Sequence, residues 1–230
     1  PLVRGYDLNA YAACGIKNCH ESTSLAEARE KMRKGMQVLL RDGSVSKDIA
    51  ELTPLLTDAT WPFLAFCTDD RNPLDIADEG HIDHLVRKAI QGGAPVAAAY
   101  RAATWAAANA FGLRDRGMVA PGYRADLLLM SDLESVSVEA VIRNGRLVDA
   151  GTFEGRPLPE VVGRRSIQLD AVGPEAFQMP GAAGDRSVVG VIPGSIVTEH
   201  LRERVPVRNG LLHADPARDL LQVCVFSRQG

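Results

Sequence analysis

Two periodicities alternate along the first third of the chain. Ile16 to Cys19 is a short run that ends at His20. Ser24 then opens a segment with Glu27 three residues on, the spacing of a capping box, in which each side chain satisfies a free backbone N–H. Leu25, Ala28 and Met32 fall on one helical face, Glu27, Glu30, Lys31 and Lys34 cover the rest, and Gly35 closes the helix. Met36 to Leu40 is all but continuously apolar and predicts a buried strand. Lys47 to Leu56 predicts a helix with Ile49, Leu52, Leu55 and Leu56 inward, and Phe63 to Cys67 predicts another buried strand between Pro62 and the Asp69-Asp70 pair. Short apolar strands separated by amphipathic helices predict parallel βα units, because crossover helices cover both faces of such a sheet. An open doubly wound sheet and part of a (β/α)8 barrel both satisfy that pattern, and periodicity does not choose between them.

Helices continue from Ile82 to Ile90 and, with Pro95 at its first position, through an Ala-rich stretch to Phe111 and Gly112. After Gly117 the pattern turns to strands: Ala125 to Met130, Val136 to Arg143 and Arg146 to Val148, the last two joined by Asn144-Gly145, a strong hairpin signal. Residues 151–184 are rich in Gly, Pro and Arg and read as a linker, followed by strand-like runs at Val188 to Ile192, Ile196 to Glu199 and Leu221 to Phe226. Pro1 stands inside what reads as a loop, and Gly230 follows the last of those runs, the pattern expected of a piece of a longer protein.

Composition narrows the class. Apolar residues at 46% and charged residues at 24% suit a globular core, and a net charge of -3 gives no pull toward nucleic acid or anionic lipid. No apolar run reaches the length of a membrane span and no secretory leader opens the chain. Cys14, Cys19, Cys67 and Cys224 have neither disulfide-scaffold density nor zinc-ribbon spacing, which fits a reducing cytoplasm. The Cys14–Cys19 spacing is too wide for a redox pair, and one core and one strand-end thiol is the reading adopted.

In parallel α/β folds, reactive residues gather where strands end at their carboxyl side. The first run delivers His20, then Glu21 and Ser22, and the third delivers Thr68, Asp69 and Asp70. An imidazole and a carboxylate on rigid strand ends suit a divalent ion that also holds a reactive water. The same residues also suit a structural role, His20 bonding nearby backbone and the two aspartates starting a turn. His81 and His84 share a helical face without a third ligand nearby, and His81 fits a substrate contact better. Arg71 either orients a ligand or pairs with Asp75, the pairing being the simpler reading. H-E-x-x-H, G-x-S-x-G, a P-loop, G-x-G-x-x-G and the H-x-E…P-C-x-x-C of zinc nucleobase deaminases are all absent.

Taken together, Cys19-His20-Glu21-Ser22, Cys67-Thr68-Asp69-Asp70-Arg71-Asn72-Pro73 and Glu79-Gly80-His81-Ile82-Asp83 resemble the amidohydrolase superfamily and, within it, the bacterial adenine deaminases. The first segment resembles the end of that family's sixth barrel strand and the second the end of its eighth. Ala120-Pro121-Gly122-Tyr123-Arg124-Ala125-Asp126-Leu127 resembles the return from the barrel into a small β-sandwich, a pattern shared across the superfamily. The family's first-strand H-x-H pair, fourth-strand glutamate and fifth-strand histidine have no counterpart in the chain.

The resemblance implies an α/β fold: the second half of a (β/α)8 metal-dependent hydrolase barrel over residues 1–117, β-sandwich strands and a linker over 118–165, and the start of a C-terminal α+β domain over 166–230. It implies a cytoplasmic, homo-oligomeric enzyme of purine salvage that acts on a small molecule, without nucleic acid or membrane. The reaction it implies is hydrolysis of adenine to hypoxanthine and ammonia at a binuclear divalent centre of manganese, iron or zinc. His20 and Asp69 would be metal ligands, Asp69 also the general acid–base. His81 and Glu21 would touch substrate, while Asp70 and Ser22 orient their neighbours. The alternatives are an amidohydrolase acting on a cyclic amide or another aminated heterocycle, and a non-catalytic α/β scaffold.

Overall fold

The computed structural model describes residues 2–157, 159–164 and 166–229. Pro1, where the sequence reading places a loop, and Leu158 and Arg165 within the expected linker, lie outside the described residues. The chain divides into two compact units, Pro1–Glu154 with Ile192–Val197, and Gly155–Val191 with Thr198–Gly230.

The first unit opens with a helix, α1 (Gly5–Ala13), where the sequence reads as loop. Its start lacks a side-chain cap of its own. Glu30 substitutes, accepting from Gly5 N at 2.7 Å and Arg4 Nε at 2.9 Å, so a contact distant in sequence orders this turn. There follow β1 (Asn18–Cys19), α2 (Leu25–Arg33), β2 (Gln37–Arg41), α3 (Ile49–Leu52) and β3 (Leu64–Cys67). The three strands form a parallel sheet in the order β1-β2-β3. Asn18 pairs with Gln37, Cys19 with Val38, Val38 with Leu64 and Arg41 with Cys67. Parallel pairing in this register sets the carboxyl ends of all three strands along one rim.

The core explains the apolar runs. Val38, Leu39 and Leu40 of β2 and Leu64, Ala65 and Phe66 of β3 are all buried, as strands covered on both faces require. Ala28, Ile49, Leu52, Leu85, Val86, Ala98 and Ala99 pack around them from the helices. α2 corrects the sequence reading in two ways. Ser24 does cap it, accepting from Glu27 N at 3.4 Å, but Glu27 reaches the amides of Thr23 and Leu2 rather than that of Ser24. Glu27 and Lys31, expected on the solvent face, are buried. The helix expected over 47–56 is shorter: α3 passes into a 3-10 turn at Thr53–Leu55, where Pro54 has no N–H to continue the α ladder.

A run of helices then follows β3. α4 (Pro73–Glu79) carries a cap that the sequence reading passed over: Asn72 accepts from Leu74 N at 2.9 Å and Asp75 N at 3.0 Å. α5 (Ile82–Gln91) lies where periodicity puts it. α6 (Val96–Arg101) runs through a π-helical turn, Ala102–Ala106, into α7 (Ala107–Ala110). Gly117 lies at φ +98°, and a Cβ there would stand 2.9 Å from Ala108 Cβ, so only glycine fits this return. An antiparallel sheet, β4 (Leu127–Asp132), β5 (Ser137–Arg143) and β6 (Arg146–Leu147), closes the unit. Asn144 and Gly145 both have positive φ, the turn that the dipeptide predicts.

The second unit holds β7 (Met179–Pro180), β8 (Asp185–Val191), β9 (Thr198–Arg204), β10 (Val207–Arg208) and β11 (Leu211–Leu212). β8 and β9 pair antiparallel, and β7, β10 and β11 form a second small sheet. The strand expected at Leu221 to Phe226 does not form: Gln222 Nε2 bonds Phe177 O at 2.6 Å and the Phe226 ring packs edge-on to Phe177 at 5.5 Å. Among the described residues no helix is long and apolar enough to cross a membrane.

Candidate metal centre

The rim of the parallel sheet carries the chemistry. β1 ends in a turn wrapped around the Cys19 sulfur, which accepts from Lys31 Nζ at 3.1 Å and from Glu21 N at 3.4 Å. Ser22, 1% exposed, receives a second Lys31 bond at 3.1 Å. The buried lysine thus fixes both sides of His20 and leaves the imidazole pointing outward, 47% exposed. Ser22 steadies the turn through Lys31, and Glu21 is partly buried beside His20. Cys14 is exposed rather than a core thiol, and Cys19 is the strand-end one.

β3 ends two strands away, yet its aspartate meets the same histidine. Asp69 sits in the left-handed region at φ +51°, a conformation that Asp tolerates better than most residues and that turns its carboxylate back along the rim. His20 Nε2 and Asp69 Oδ1 are 3.9 Å apart. Asp69 Oδ2 accepts from Arg41 Nη1 at 3.0 Å. Asp70 faces the loop after β2, accepting from Val45 N at 3.1 Å, and Gly43 lies so close that a Cβ would fall 1.7 Å from Asp70 Oδ1. Thr68 Oγ1 and His81 Nε2 are hydrogen-bonded at 3.1 Å, placing the exposed His81 at the β3 end of the rim.

Arg41 is the residue at this rim that the sequence reading missed. It ends β2, 1% exposed, and the signal was available: a charged pair, Arg41-Asp42, terminates an otherwise apolar run. Burial works against its charge, and the hydrogen bonds and charges of Asp48 and Asp69 outweigh that and hold its pKa above the ordinary value. Burial also pushes the Cys67 thiol up to about 12, with the Arg41 charge opposing, so Cys67 is protonated near neutral pH and supplies no thiolate.

Arg71 departs from its expected pairing. It donates to Gly80 O at 2.9 Å and Asp75 O at 3.3 Å and pairs with Glu79, while the Asp75 carboxylate takes Ser44 and Asn72 instead. His84 lies by Asp42 and Glu79, at 3.5 and 3.6 Å, as part of that structural network.

The donors of His20 and Asp69 fit a divalent cation. Their separation is less than twice the roughly 2.0–2.2 Å of nitrogen and oxygen bonds to zinc, so one ion can touch both. Among the described residues no third His, Cys, Asp or Glu side chain joins them, and the pair fits as part of a ligand set.

The family model for the amidohydrolase family matches residues 6–148, a span that includes all of α1 but its first residue, the whole parallel sheet and the rim. The chain belongs to the amidohydrolase family. This amidohydrolase is 57% identical over its full length to an adenine deaminase of Methylobacterium nodulans and 55% identical to one of another Methylobacterium strain. It spans 41% of the length of each. It also resembles a solved β-aspartyl dipeptidase of Fervidobacterium islandicum, at 18% identity and a TM-score of 0.42, over 56% of this chain and 38% of that one.

Proposed function

We propose that this amidohydrolase chain carries the downstream part of a hydrolytic adenine deaminase, which converts adenine and water to hypoxanthine and ammonia. Identity of 57% and 55% across this chain, to 41% of the length of proteins named for that activity, supports the substrate. The observation that carries the chemistry is the 3.9 Å approach of His20 to an aspartate whose other oxygen is occupied by Arg41. In this reading the parallel sheet with its helices is the last part of a (β/α)8 barrel over residues 1–117. The strands of 118–165 belong to a small β-sandwich, and 166–230 opens a C-terminal domain. The enzyme is a cytoplasmic homo-oligomer of purine salvage.

His20 and Asp69 would hold a divalent ion of a binuclear manganese, iron or zinc centre. When bound, such an ion makes a water molecule a source of hydroxide near neutral pH. Asp69 accepts the proton of the water that attacks the purine C6 and delivers it to the departing amino group, so that ammonia leaves and the ring keeps the oxygen. A general acid–base in this role is worth about 10²- to 10⁴-fold in rate. His81, steadied by Thr68, and Glu21 contact the purine, while Asp70 and Ser22 keep the two strand ends in place.

The test is Asp69→Asn in the full-length protein. Asn keeps the tolerance for a left-handed backbone. The variant should therefore fold with a near wild-type melting temperature, yet lose about 10²-fold or more of its ammonia release from adenine. Wild-type turnover would remove Asp69 from the reaction, and ring opening of hydantoin faster than deamination of adenine would reassign the substrate.

A further inference from the structure

Behind the candidate centre lies a buried cation that the reaction described above does not use. The Arg41 guanidinium is gripped along one edge: Nε and Nη2 donate to Asp48 Oδ2 at 3.1 and 2.8 Å, and Nη2 also donates to Ser46 Oγ at 2.8 Å. Ser46 Oγ in turn donates to the same Asp48 oxygen at 3.0 Å. A guanidinium is a rigid planar fork, so gripping one edge fixes where the remaining nitrogen lies. That nitrogen, Nη1, donates to Asp69 Oδ2 at 3.0 Å. Asp69 has little else to fix it, being 40% exposed and set on a left-handed backbone, a conformation that persists only where the surroundings impose it.

We propose that Arg41, anchored by Asp48 and Ser46, is a positioning residue that selects the rotamer of Asp69, reserving Oδ2 for itself and presenting Oδ1 to His20. This rests on the reading of Asp69 as acid–base and ligand. A merely structural Arg41 would balance the buried Asp48 charge, and a lysine meets that need. A lysine is a point charge without the fork, and it cannot hold Asp48 and Asp69 in one fixed geometry.

The experiment compares Arg41→Lys, Asp69→Asn and the double variant in the full-length protein. It reads melting temperature, kcat and KM for adenine at saturating Mn²⁺, and Mn²⁺ binding to the metal-stripped protein by calorimetry. Arg41→Lys should stay folded, lose about 10- to 100-fold in kcat with little change in KM, and bind Mn²⁺ more weakly. On the Asp69→Asn background, the same substitution should cost almost nothing further, because its effect passes through Asp69. Wild-type kcat and Mn²⁺ affinity in Arg41→Lys, with Asp69→Asn inactive, overturn this inference and leave the acid–base reading standing. Wild-type turnover in Asp69→Asn overturns both. Should Arg41→Lys not accumulate as folded protein, Ser46→Ala, which loosens one anchor only, should lower kcat in the same direction, and an unchanged kcat there overturns the proposal.

Discussion

Lys31 and Glu27 are paired at 2.6 Å within α2, their side chains 2% and 1% exposed. Burial opposes the Lys31 charge, but the hydrogen bonds it donates to Glu27 and Cys19 outweigh it and hold its pKa above that of a free lysine. Burial likewise opposes the Glu27 carboxylate, and bonds from Lys31, Leu2 and Thr23 bring its pKa below the ordinary value. Removing one partner strands the other charge. Lys31→Met should cost about 3–5 kcal/mol of stability, whereas Glu27→Leu with Lys31→Met should cost less than the single change. Urea unfolding of the three proteins checks this; an additive double variant would show that the pair is not coupled.

Gly43 bears on the rim from the other side. A Cβ there would meet Asp70 Oδ1 at 1.7 Å and the Thr68 carbonyl at 2.9 Å. Turning the aspartate relieves the first clash, but the second is with backbone and needs the end of β3 to shift. Gly43→Ala should therefore cost about 1–3 kcal/mol as overpacking and, on the proposed reading, lower adenine turnover in the full-length protein more than its stability loss accounts for. Melting curves and steady-state rates on the same preparation separate the two effects.

How far the sequence revealed this arrangement depends on which force set each part. β2 and β3 are legible because both faces are buried, so nearly every position is apolar and the pattern has one reading. His20 and Asp69 were legible as strand-end residues, and the parallel register that brings β1 and β3 to one rim makes them neighbours. α1 was not, since Glu30 of another helix caps it. Nor were Glu27 and Lys31: helical periodicity marks them as solvent-facing, and it is the Cys19–Ser22 turn packing over them that makes a buried charge tolerable. Leu221 to Phe226 misled in the opposite sense, an apolar run whose backbone finds no partner strand in the described unit. Arg41 escaped notice because a charge at a strand end is ordinarily solvated, and only Asp48, Ser46 and Asp69 together give it a buried purpose.

His84 gives the structure an acid sensitivity of its own. Its pKa lies below the ordinary 6.5, first because of burial and then because of the Arg71 charge, with Glu79 and Asp42 acting the other way and Lys88 adding to the depression. A depressed value means that folding favours the neutral ring. The stability it contributes is complete above pH 6.5 and is lost as the pH falls through the folded-state value. His84→Gln should therefore show a smaller drop in melting temperature between pH 7 and pH 5 than the wild type, by scanning calorimetry at constant ionic strength. Parallel curves would mean that other groups dominate this acid limb.

On the proposed reading, the Thr68–His81 hydrogen bond separates two ways in which His81 serves the purine. At 3.1 Å, Thr68 Oγ1 holds the ring by Nε2, and His81 is otherwise exposed, its amide donating to Asp83 Oδ1 at 2.8 Å. Thr68→Val keeps the branched shape at the end of β3 while removing the hydroxyl. If His81 only binds the purine, the ring loses its orientation, KM for adenine rises, and kcat stays near wild type, the mark of an interaction equal in ground and transition states. A loss of about one neutral hydrogen bond corresponds to roughly a threefold to tenfold rise in KM. Were kcat to fall by a like factor at unchanged KM, His81 would instead be acting on the transition state, and the acid–base work assigned to Asp69 would be shared between the two residues.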